Sequence, residues 1–296
     1  MKPNVSLVLS AGGARGMAHI GIINVLEKQG FQISSIAGTS MGALVGGIHA
    51  VGQLNDFTLW LKNLGKMEVF KLTDFAMSKK GFIKGNKVFK ELDPFITDAN
   101  IEDLAINYTA IASNLTHLKE AVFETGKLKD AIRASVAIPV FIQPHHYLDC
   151  VMVDGGLVNP LPVDRVRRSP GDILIAVNVN SGIPFTKPPM KAQLIEKKSL
   201  YRTAIEKINH SWAEHLNNNN NHNHNNHKMG MFDLLSKSVE IMQVRLSEAS
   251  VKNCKPDIMI DISYECCDIF EFYRAEEIIT MGKKAMEKAL IEWKGV

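Results

Sequence analysis

The fold is decided by residues 33–51, ISSIAGTSMGALVGGIHAV. Residues 33–37 predict a strand, and residues 41–51 carry apolar side chains at helical spacing. The junction between them is Gly38-Thr39-Ser40-Met41-Gly42, a G-x-S-x-G sequence. A sharp strand-to-helix turn with this sequence can hold a serine hydroxyl out of the turn as a nucleophile, because the glycines remove side chains that would clash across it. The alternative is a glycine-rich turn that contains a serine by chance.

Strands and helices alternate on both sides of this junction. A short buried strand, a glycine cluster and a helix precede it, and further strand-like runs and helical patterns follow it. Such alternation favours a mostly parallel sheet with helices packed on it. We therefore predict a single domain over residues 1–296, folded as a three-layer α/β/α sandwich. The other predicted elements are 5–10, 17–29, 108–112, 121–123, 128–134, 173–179, 191–216, 231–251, 258–262 and 270–293.

The length and composition fit a globular protein with a large core, since 46% of the 296 residues are hydrophobic. The formal net charge of +3 gives no sign of a nucleic-acid partner. No run reaches the roughly 18 apolar residues that span a bilayer, and the N-terminal residues do not resemble a signal peptide. We expect a cytoplasmic protein whose contact with membranes is at most peripheral.

Neither the cysteines nor a histidine-rich tract predicts a functional metal site. The four cysteines form no C-x-x-C pair and have no zinc spacing, so we interpret them as reduced thiols. Residues 217–227 contain only Asn and His and predict a disordered loop inside a helical C-terminal part. Adventitious metal binding by the tract is the alternative. The residues concerned are Cys150, Cys254, Cys266, Cys267, His222, His224 and His227.

A second glycine-rich segment, Gly12-Gly13-Ala14-Arg15-Gly16, lies between the first strand and the first helix and is called the glycine loop below. A loop of this composition can aim several backbone N–H groups at one point, as an oxyanion hole requires during acyl transfer. A dinucleotide-binding loop is excluded, because Ala11 stands where G-x-G-x-x-G needs glycine and no acidic residue ends the second strand. A P-loop is excluded because no G-K-[ST] follows.

A serine nucleophile needs a base, and the sequence offers histidines and carboxylates. His145 and His146 are the best histidine candidates, whereas His19 fits a structural residue on the first helix better. Asp154 ends the apolar run 151–153, and partial burial would raise its pKa toward the range of a general base. The Asp-Gly-Gly sequence that it begins is also common in ordinary turns.

Together, these motifs resemble the patatin-like phospholipase family, and most of all its short bacterial members. The glycine loop, the serine junction and Asp154-Gly155-Gly156 stand in the order and approximate spacing of that family, from about residue 5 to residue 179. Ala11 departs from the pattern, because many members have glycine there. Three smaller blocks add to the likeness: His19-Ile20-Gly21, Ala137-Ile138-Pro139 with Phe141, and Asn159-Pro160-Leu161-Pro162.

The resemblance implies a patatin-like fold and a Ser–Asp dyad without histidine, in which Ser40 is the nucleophile and Asp154 is the base. It also implies an oxyanion hole from the amides around Gly12, Gly13 and Ala14, with no metal and no cofactor. Arg15 matches a basic position that steadies the loop or meets a phosphate. The glycines that support these motifs are Gly16, Gly38, Gly42, Gly155 and Gly156.

The activity that the resemblance implies is hydrolysis of a carboxylic ester in a lipid or lysophospholipid, of the phospholipase A or lysophospholipase type, through an acyl-serine intermediate. A non-lipid carboxylesterase or thioesterase is the nearest alternative among enzymes. A catalytically idle scaffold or regulatory protein is the alternative from another class. The intact Ser40, Asp154 and glycine loop argue against an idle protein.

Residues 62–90 form a basic segment, with eight lysines against Glu68 and Asp74 and with methionine and aromatic side chains between them. Such a segment suits peripheral contact with an anionic lipid surface. A solvated helical face over core residues has the same composition and is the alternative.

Overall fold

The computed structural model describes residues 3–72, 86–139, 141–185 and 231–293. Contacts group the chain into two units, Met1–Pro184 with Met242–Val296, and Phe185–Ile241. The sheet and the candidate active site belong to the first unit. The predicted helix at 191–216, the Asn/His tract at 217–227 and residues 73–85 of the basic segment lie outside the described residues. The predictions for these segments, and that of a single domain, stay predictions.

The described residues of the first unit form one sheet of eight strands. Its central strands are buried along nearly their whole length, as parallel strands covered on both faces are. The strands are β1 (Asn4–Leu9), β2 (Gln32–Thr39), β3 (Asn107–Asn114), β4 (Lys119–Phe123), β5 (His145–Tyr147), β6 (Cys150–Asp154), β7 (Ile173–Ser181) and β8 (Ile258–Ser263).

The strand order is β5-β6-β3-β2-β1-β7-β8, and β4 pairs with β3 outside this path. The run from β3 to β8 is parallel throughout, whereas β4, β5 and β6 are attached by antiparallel pairing. The mostly parallel sheet is therefore confirmed. The helices of the described residues are α1 (Ala18–Lys28), α2 (Met41–Ala50), α3 (Leu54–Lys62), α4 (Lys66–Leu72), α5 (Asn86–Ile96), α6 (Leu128–Ser135), α7 (Met231–Asn253) and α8 (Ala275–Glu292).

Both faces of the sheet are covered. Leu9 and Ile36 face α2, and their chain neighbours Val8 and Ala37 point to the other face because side chains alternate along a strand. On that other face, Val8 and Ala37 pack in a cluster with residues between 161 and 176 and with Val251 of α7. Helices α1 and α8 pack against each other. The layered α/β architecture expected from the sequence is thus confirmed.

Some elements differ from the sequence predictions. β5 was not predicted, because three residues that include two histidines carry no apolar alternation. The last helix begins at Ala275 and not at residue 270, because the segment before it turns as a short 3-10 helix, Phe272–Arg274. Within that segment Arg274 pairs with Glu271 at 2.6 Å, and it also pairs with Glu277 at 2.6 Å. The sequence contains no capping motif that would have marked Ala275 as the start of the helix.

Candidate active site

Strands β2 and β6 share one edge of β3 and meet end to end. Thr39, the last residue of β2, pairs with Ile111, and Asp154, the last residue of β6, pairs with Ala112. β4 occupies the opposite edge of β3 over residues 110–114, so β2 and β6 lie on the same side. β2 runs parallel to β3 and β6 runs antiparallel to it, so the C-terminal ends of β2 and β6 converge. Ser40 directly follows the end of β2, and Asp154 is the last residue of β6.

The convergence places two predicted residues in direct contact. Ser40 Oγ donates a hydrogen bond to Asp154 Oδ2 at 2.5 Å, although 114 residues separate them in the chain. Each of the two residues is only 4% exposed. A short hydrogen bond from a hydroxyl to a carboxylate in a nearly dry site is the geometry in which the carboxylate can take the proton.

The Ser40 backbone is held in an unfavourable conformation. Its φ of 55° and ψ of −121° place a residue with a side chain in the left-handed half of conformational space, which costs on the order of 1–3 kcal/mol. Ser135 at the end of α6 braces it: Ser40 N–H donates to Ser135 Oγ at 2.8 Å, and Ser135 Oγ donates to the Ile111 carbonyl at 2.5 Å. Gly42 allows the tight turn, since a Cβ there would overlap the Leu9 carbonyl.

Asp154 is fixed on every polar atom. Its Oδ1 accepts the Gly156 N–H at 2.7 Å, its N–H donates to the Ala137 carbonyl at 2.9 Å, and its carbonyl accepts Ser113 Oγ at 2.8 Å. Burial raises the pKa of the carboxyl from 3.8 to about 6, against the opposing effect of the hydrogen bonds from Ser40 and Gly156. The group is therefore ionised near neutral pH, and it is a stronger proton acceptor than an exposed aspartate.

The glycine loop is held by the C-terminal part of the chain. The Ala14 N–H donates to the Ile269 carbonyl at 2.9 Å, so that amide already has an acceptor. Gly13 has a φ of +54°, and a Cβ there would lie 2.6 Å from the same carbonyl oxygen. Within the described ranges, the amides of Gly12 and Gly13 donate no backbone hydrogen bond. Of the three predicted donors in the described residues, the Ala14 amide is the one with a backbone acceptor.

Arg15 and the supporting glycines fix the loop in place. The Arg15 side chain is buried, and its guanidinium donates to the Tyr264 carbonyl at 3.1 Å, which ties the glycine loop to the segment after β8. Gly16 lies against the Met41 side chain, at the start of α2. Gly38 lies against the backbone of Gly42, and Gly155 lies against the Ile111 carbonyl.

The histidines considered in the sequence are placed as follows. His19 is fully buried with Nε2 3.0 Å from the Ser10 carbonyl oxygen, and burial lowers its pKa to about 4. His145 Nε2 lies 3.3 Å from Asp130 Oδ1, and His146 is on β5 opposite Val151. Across the described parts of the chain, no three His, Cys, Asp or Glu side chains converge as a metal site would require. The cysteines there are free.

Sequence reasoning missed Ser135, Ser113, Ile269 and Phe270. Phe270 packs its ring 4.9 Å from that of Phe141, so the segment after β8 touches both the glycine loop and the loop that precedes the Asp154 strand. Ser135 lies two residues before the Ala137-Ile138-Pro139 block, but its bond to Ser40 spans 95 residues and leaves no trace in local spacing. No motif marked the residues beyond 179.

Comparison with known proteins shows the family of the chain. A family model described as patatin-like phospholipase matches residues 7–167. The chain belongs to the patatin-like phospholipase family. The matched region contains the glycine loop, Ser40 and Asp154.

Relatives of this patatin-like chain cover it to different extents. Uncharacterized NTE family proteins of Mycobacterium bovis and Mycobacterium tuberculosis are 30% identical over 329 aligned positions, which cover 97% of this chain and 91% of each relative. The lysophospholipase NTE1 of Scheffersomyces stipitis is 32% identical over 185 positions, which cover 60% of this chain and 12% of that protein. The crystal structure of VipD from Legionella pneumophila aligns with a TM-score of 0.45 and 13% identity, over 98% of this chain and 67% of that one.

Proposed function

We propose that the chain is a serine acyl hydrolase that cleaves carboxylic esters of lipids, of the phospholipase A or lysophospholipase type. The observation that carries the proposal is the buried 2.5 Å hydrogen bond from Ser40 Oγ to Asp154 Oδ2 at a strained strand-to-helix turn. Membership of the patatin-like phospholipase family and the lysophospholipase name of a relative support the lipid substrate.

In the proposed reaction, Asp154 accepts the Ser40 hydroxyl proton as Oγ attacks the ester carbonyl carbon. The tetrahedral intermediate collapses to an acyl-serine as the protonated Asp154 returns the proton to the departing alcohol. Water, deprotonated by the same carboxylate, then attacks the acyl-serine, and the carboxylic acid leaves while Ser40 regains its proton. The aspartate thus acts alternately as base and acid, without a histidine.

The negative charge of the intermediate needs fixed donors. We assign this role to the amides of Gly12 and Gly13, which are rigidly placed by the contacts of Gly13 with Ile269 and of Arg15 with Tyr264. Ala14 would join them only by releasing its bond to the Ile269 carbonyl. A single donor of this kind contributes about 3 kcal/mol to transition-state stabilisation. The reaction as proposed uses no metal and no cofactor.

An idle scaffold is less well supported than an enzyme. The left-handed backbone of Ser40 and the buried ionised Asp154 both lower the stability of the folded chain, and neither is needed to hold the sheet together. A non-lipid carboxylesterase or thioesterase would use the same dyad, so substrate preference must separate it from a lipid hydrolase.

We further propose a cytoplasmic protein with peripheral membrane contact. No helix of the described ranges is long and apolar enough to cross a bilayer. Contact through the basic segment at 62–90 stays a proposal. Met67, on its described part, is 59% exposed.

Turnover of a panel of phospholipids, lysophospholipids and short-chain esters tests the proposal. The purified chain should release fatty acid from at least one lipid in the panel, and Ser40→Ala should release none. Hydrolysis of short-chain esters or thioesters with no lipid turnover would favour the non-lipid esterase. The absence of any turnover would favour the scaffold.

A further inference from the structure

Two neighbouring β-turns carry exposed leucines. The turn at 115–118 joins β3 to β4, and the turn at 148–149 joins β5 to β6. They lie side by side, because Leu115 N–H donates to the Val151 carbonyl at 2.9 Å and Val151 N–H donates to Thr116 Oγ1 at 3.0 Å. We call residues 115–118 and 148–149 the hairpin tips.

The hairpin tips project from the edge of the sheet that carries the dyad. β3 runs parallel to β2, which delivers Ser40 at its C-terminal end, and β3 continues past that level to its own turn. Leu148 lies in the turn just before β6, the strand that ends at Asp154. That turn lies four residues along β6 from Asp154, and the other turn begins three residues after Ala112 of β3, so at about 3.3 Å per residue the tips extend on the order of 10–15 Å beyond the dyad.

The leucines at these tips are neither packed nor relaxed. Leu118 is 88% exposed and Leu148 is 82% exposed, whereas large apolar side chains are normally covered. Their φ angles of +51° and +47° lie in the left-handed region, which turns of this kind usually fill with Gly, Asn or Asp. The left-handed backbone opposes the stability of the isolated chain, and it coincides with an exposed leucine at each of two adjacent turns.

We propose that Leu118 and Leu148 dock the protein on a lipid surface by inserting into its apolar boundary. The lipid nature of the occupant rests on the proposed function. The shape of the surface favours lipid over a protein partner, because two projecting side chains do not offer the roughly 800 Å² per partner of a stable protein interface. Insertion into a lipid interface needs no large matched surface, because its strength scales with the apolar area that enters the acyl boundary.

Charge has a small part in this docking. The exposed residues Lys119 and Asp149 beside the tips have opposite charges. Binding through the tips should therefore occur on neutral vesicles and change little with salt. Binding through the basic segment at 62–90 would instead require anionic lipid and weaken steeply with salt.

Sedimentation with phosphatidylcholine vesicles at pH 8 tests the proposal. The double variant Leu118→Ser, Leu148→Ser should partition at least tenfold less than the wild type. The matched control is Ile291→Ser on α8, which removes an 84% exposed apolar side chain far along the chain and should partition like the wild type. Wild-type protein that fails to bind these vesicles, or an equal loss in Ile291→Ser, overturns the proposal.

A second double variant separates loss of docking from loss of folding. Leu118→Asn with Leu148→Gly suits the left-handed backbone, so it should raise the melting temperature while it lowers vesicle binding as the serine variant does. Retained vesicle binding in this variant overturns the proposal. Conversion of a wild-type dimer to a monomer, measured by sedimentation velocity, also overturns it, because the tips would then be a subunit interface.

The ratio of vesicle-lipid hydrolysis to soluble-ester hydrolysis should fall about tenfold in both tip variants. Vesicle binding is measured without catalysis, so its loss in the variants supports docking whether or not the chain hydrolyses lipid. If vesicle binding depends on the tips but no ester is hydrolysed, the docking proposal stands and the proposed activity is refuted. If lipid is hydrolysed but vesicle binding does not depend on the tips, the proposed activity stands and the docking proposal is refuted.

Discussion

Thr39 and Asp154 lie opposite consecutive residues of one strand, Ile111 and Ala112 of β3. The sheet itself, and not a mobile loop, therefore sets the distance between Ser40 and its carboxylate partner. Ser135 strengthens the arrangement, because it bonds both the Ile111 carbonyl and the Ser40 amide. A site fixed by strand register has little freedom to rearrange, which suits a reaction whose catalytic groups must be in place beforehand.

Ser40 is predicted to be the nucleophile. A fluorophosphonate probe should label wild-type protein at Ser40, and Ser40→Ala should lose both labelling and ester hydrolysis. Ser40→Gly should be as inactive as Ser40→Ala. Its free energy of unfolding should exceed that of Ser40→Ala by about 1 kcal/mol, because glycine accepts a φ of 55° without strain. Peptide mapping by mass spectrometry and thermal unfolding measure the two effects. Labelling at a different serine would show that the assignment is wrong.

The acid limb of activity should report Asp154. The carboxylate must be ionised to accept the Ser40 proton, and burial raises its pKa to about 6. We expect kcat/KM to fall below about pH 6 with a single acid limb. Asp154→Asn should lower kcat at least about a hundredfold. Asp149→Asn, which alters an exposed aspartate five residues earlier in the chain, is the matched control and should keep the wild-type profile on a soluble ester.

The same pKa shift predicts the effect of Asp154→Asn on stability. Below pH 3.8, the ordinary pKa of the group, Asp154 is protonated in both the folded and the unfolded chain. The raised pKa then makes its full contribution to the free energy of unfolding of the wild type. As pH rises through about 6 that contribution is lost, because the folded chain must ionise a buried group. A gap of about two pH units corresponds to roughly 3 kcal/mol.

Asp154→Asn cannot ionise, so its free energy of unfolding should exceed that of the wild type by up to about 3 kcal/mol at pH 8. The gain should shrink toward pH 4. Urea denaturation at several pH values measures the difference. A variant that is less stable than the wild type at pH 8 would contradict the burial cost assigned to the carboxylate.

Ser135 is predicted to position the nucleophile. Ser135→Ala leaves the buried Ser40 N–H without its acceptor, which costs about 1–3 kcal/mol and loosens the strained turn. We expect kcat to fall about tenfold or more while KM stays within about twofold. Ser135→Thr keeps the hydroxyl and should recover most of the activity. Ser250→Ala, which removes a comparable bond to the Leu161 carbonyl, should leave kcat unaltered; an equal loss there would argue for a general effect on folding.

Histidine should be dispensable for turnover. The His145 ring already faces Asp130, and His146 lies opposite Val151 on the neighbouring strand. His145→Ala and His146→Ala should each retain most of the ester hydrolysis of the wild type in a steady-state assay. A loss as deep as that of Ser40→Ala in either variant would restore a histidine-based mechanism.

Local sequence predicted the parts of the site that depend on local structure. The G-x-S-x-G junction, the glycine loop and Asp-Gly-Gly each need glycine for a tight turn, and such turns are visible in a few residues. The parallel sheet followed from the alternation of apolar strands and helices. Whether Ser40 and Asp154 act as proposed still depends on the experiments above.

The parts that sequence could not predict are long-range. β2 and β6 meet on one edge of β3 because of the register in which β6 pairs with β3. That register covers only three residue pairs, and so short a pairing is not specified by the local sequence. The support of the glycine loop by Ile269 comes through a backbone carbonyl, which any residue type could provide. A carbonyl contact leaves no preferred side chain in the sequence, and so it produces no motif.

The contact between the glycine loop and the segment after β8 has a consequence for how this protein could be cut and recombined. The region matched by the family model ends at residue 167, yet Ala14 and Arg15 rely on carbonyls of Ile269 and Tyr264. An excised fragment that carried every recognisable motif would lose the carbonyl groups that hold its glycine loop. In a chimaera with a relative, the residues around 264–270 would have to be inherited with the N-terminal loop as one unit, although some 250 residues of chain lie between them.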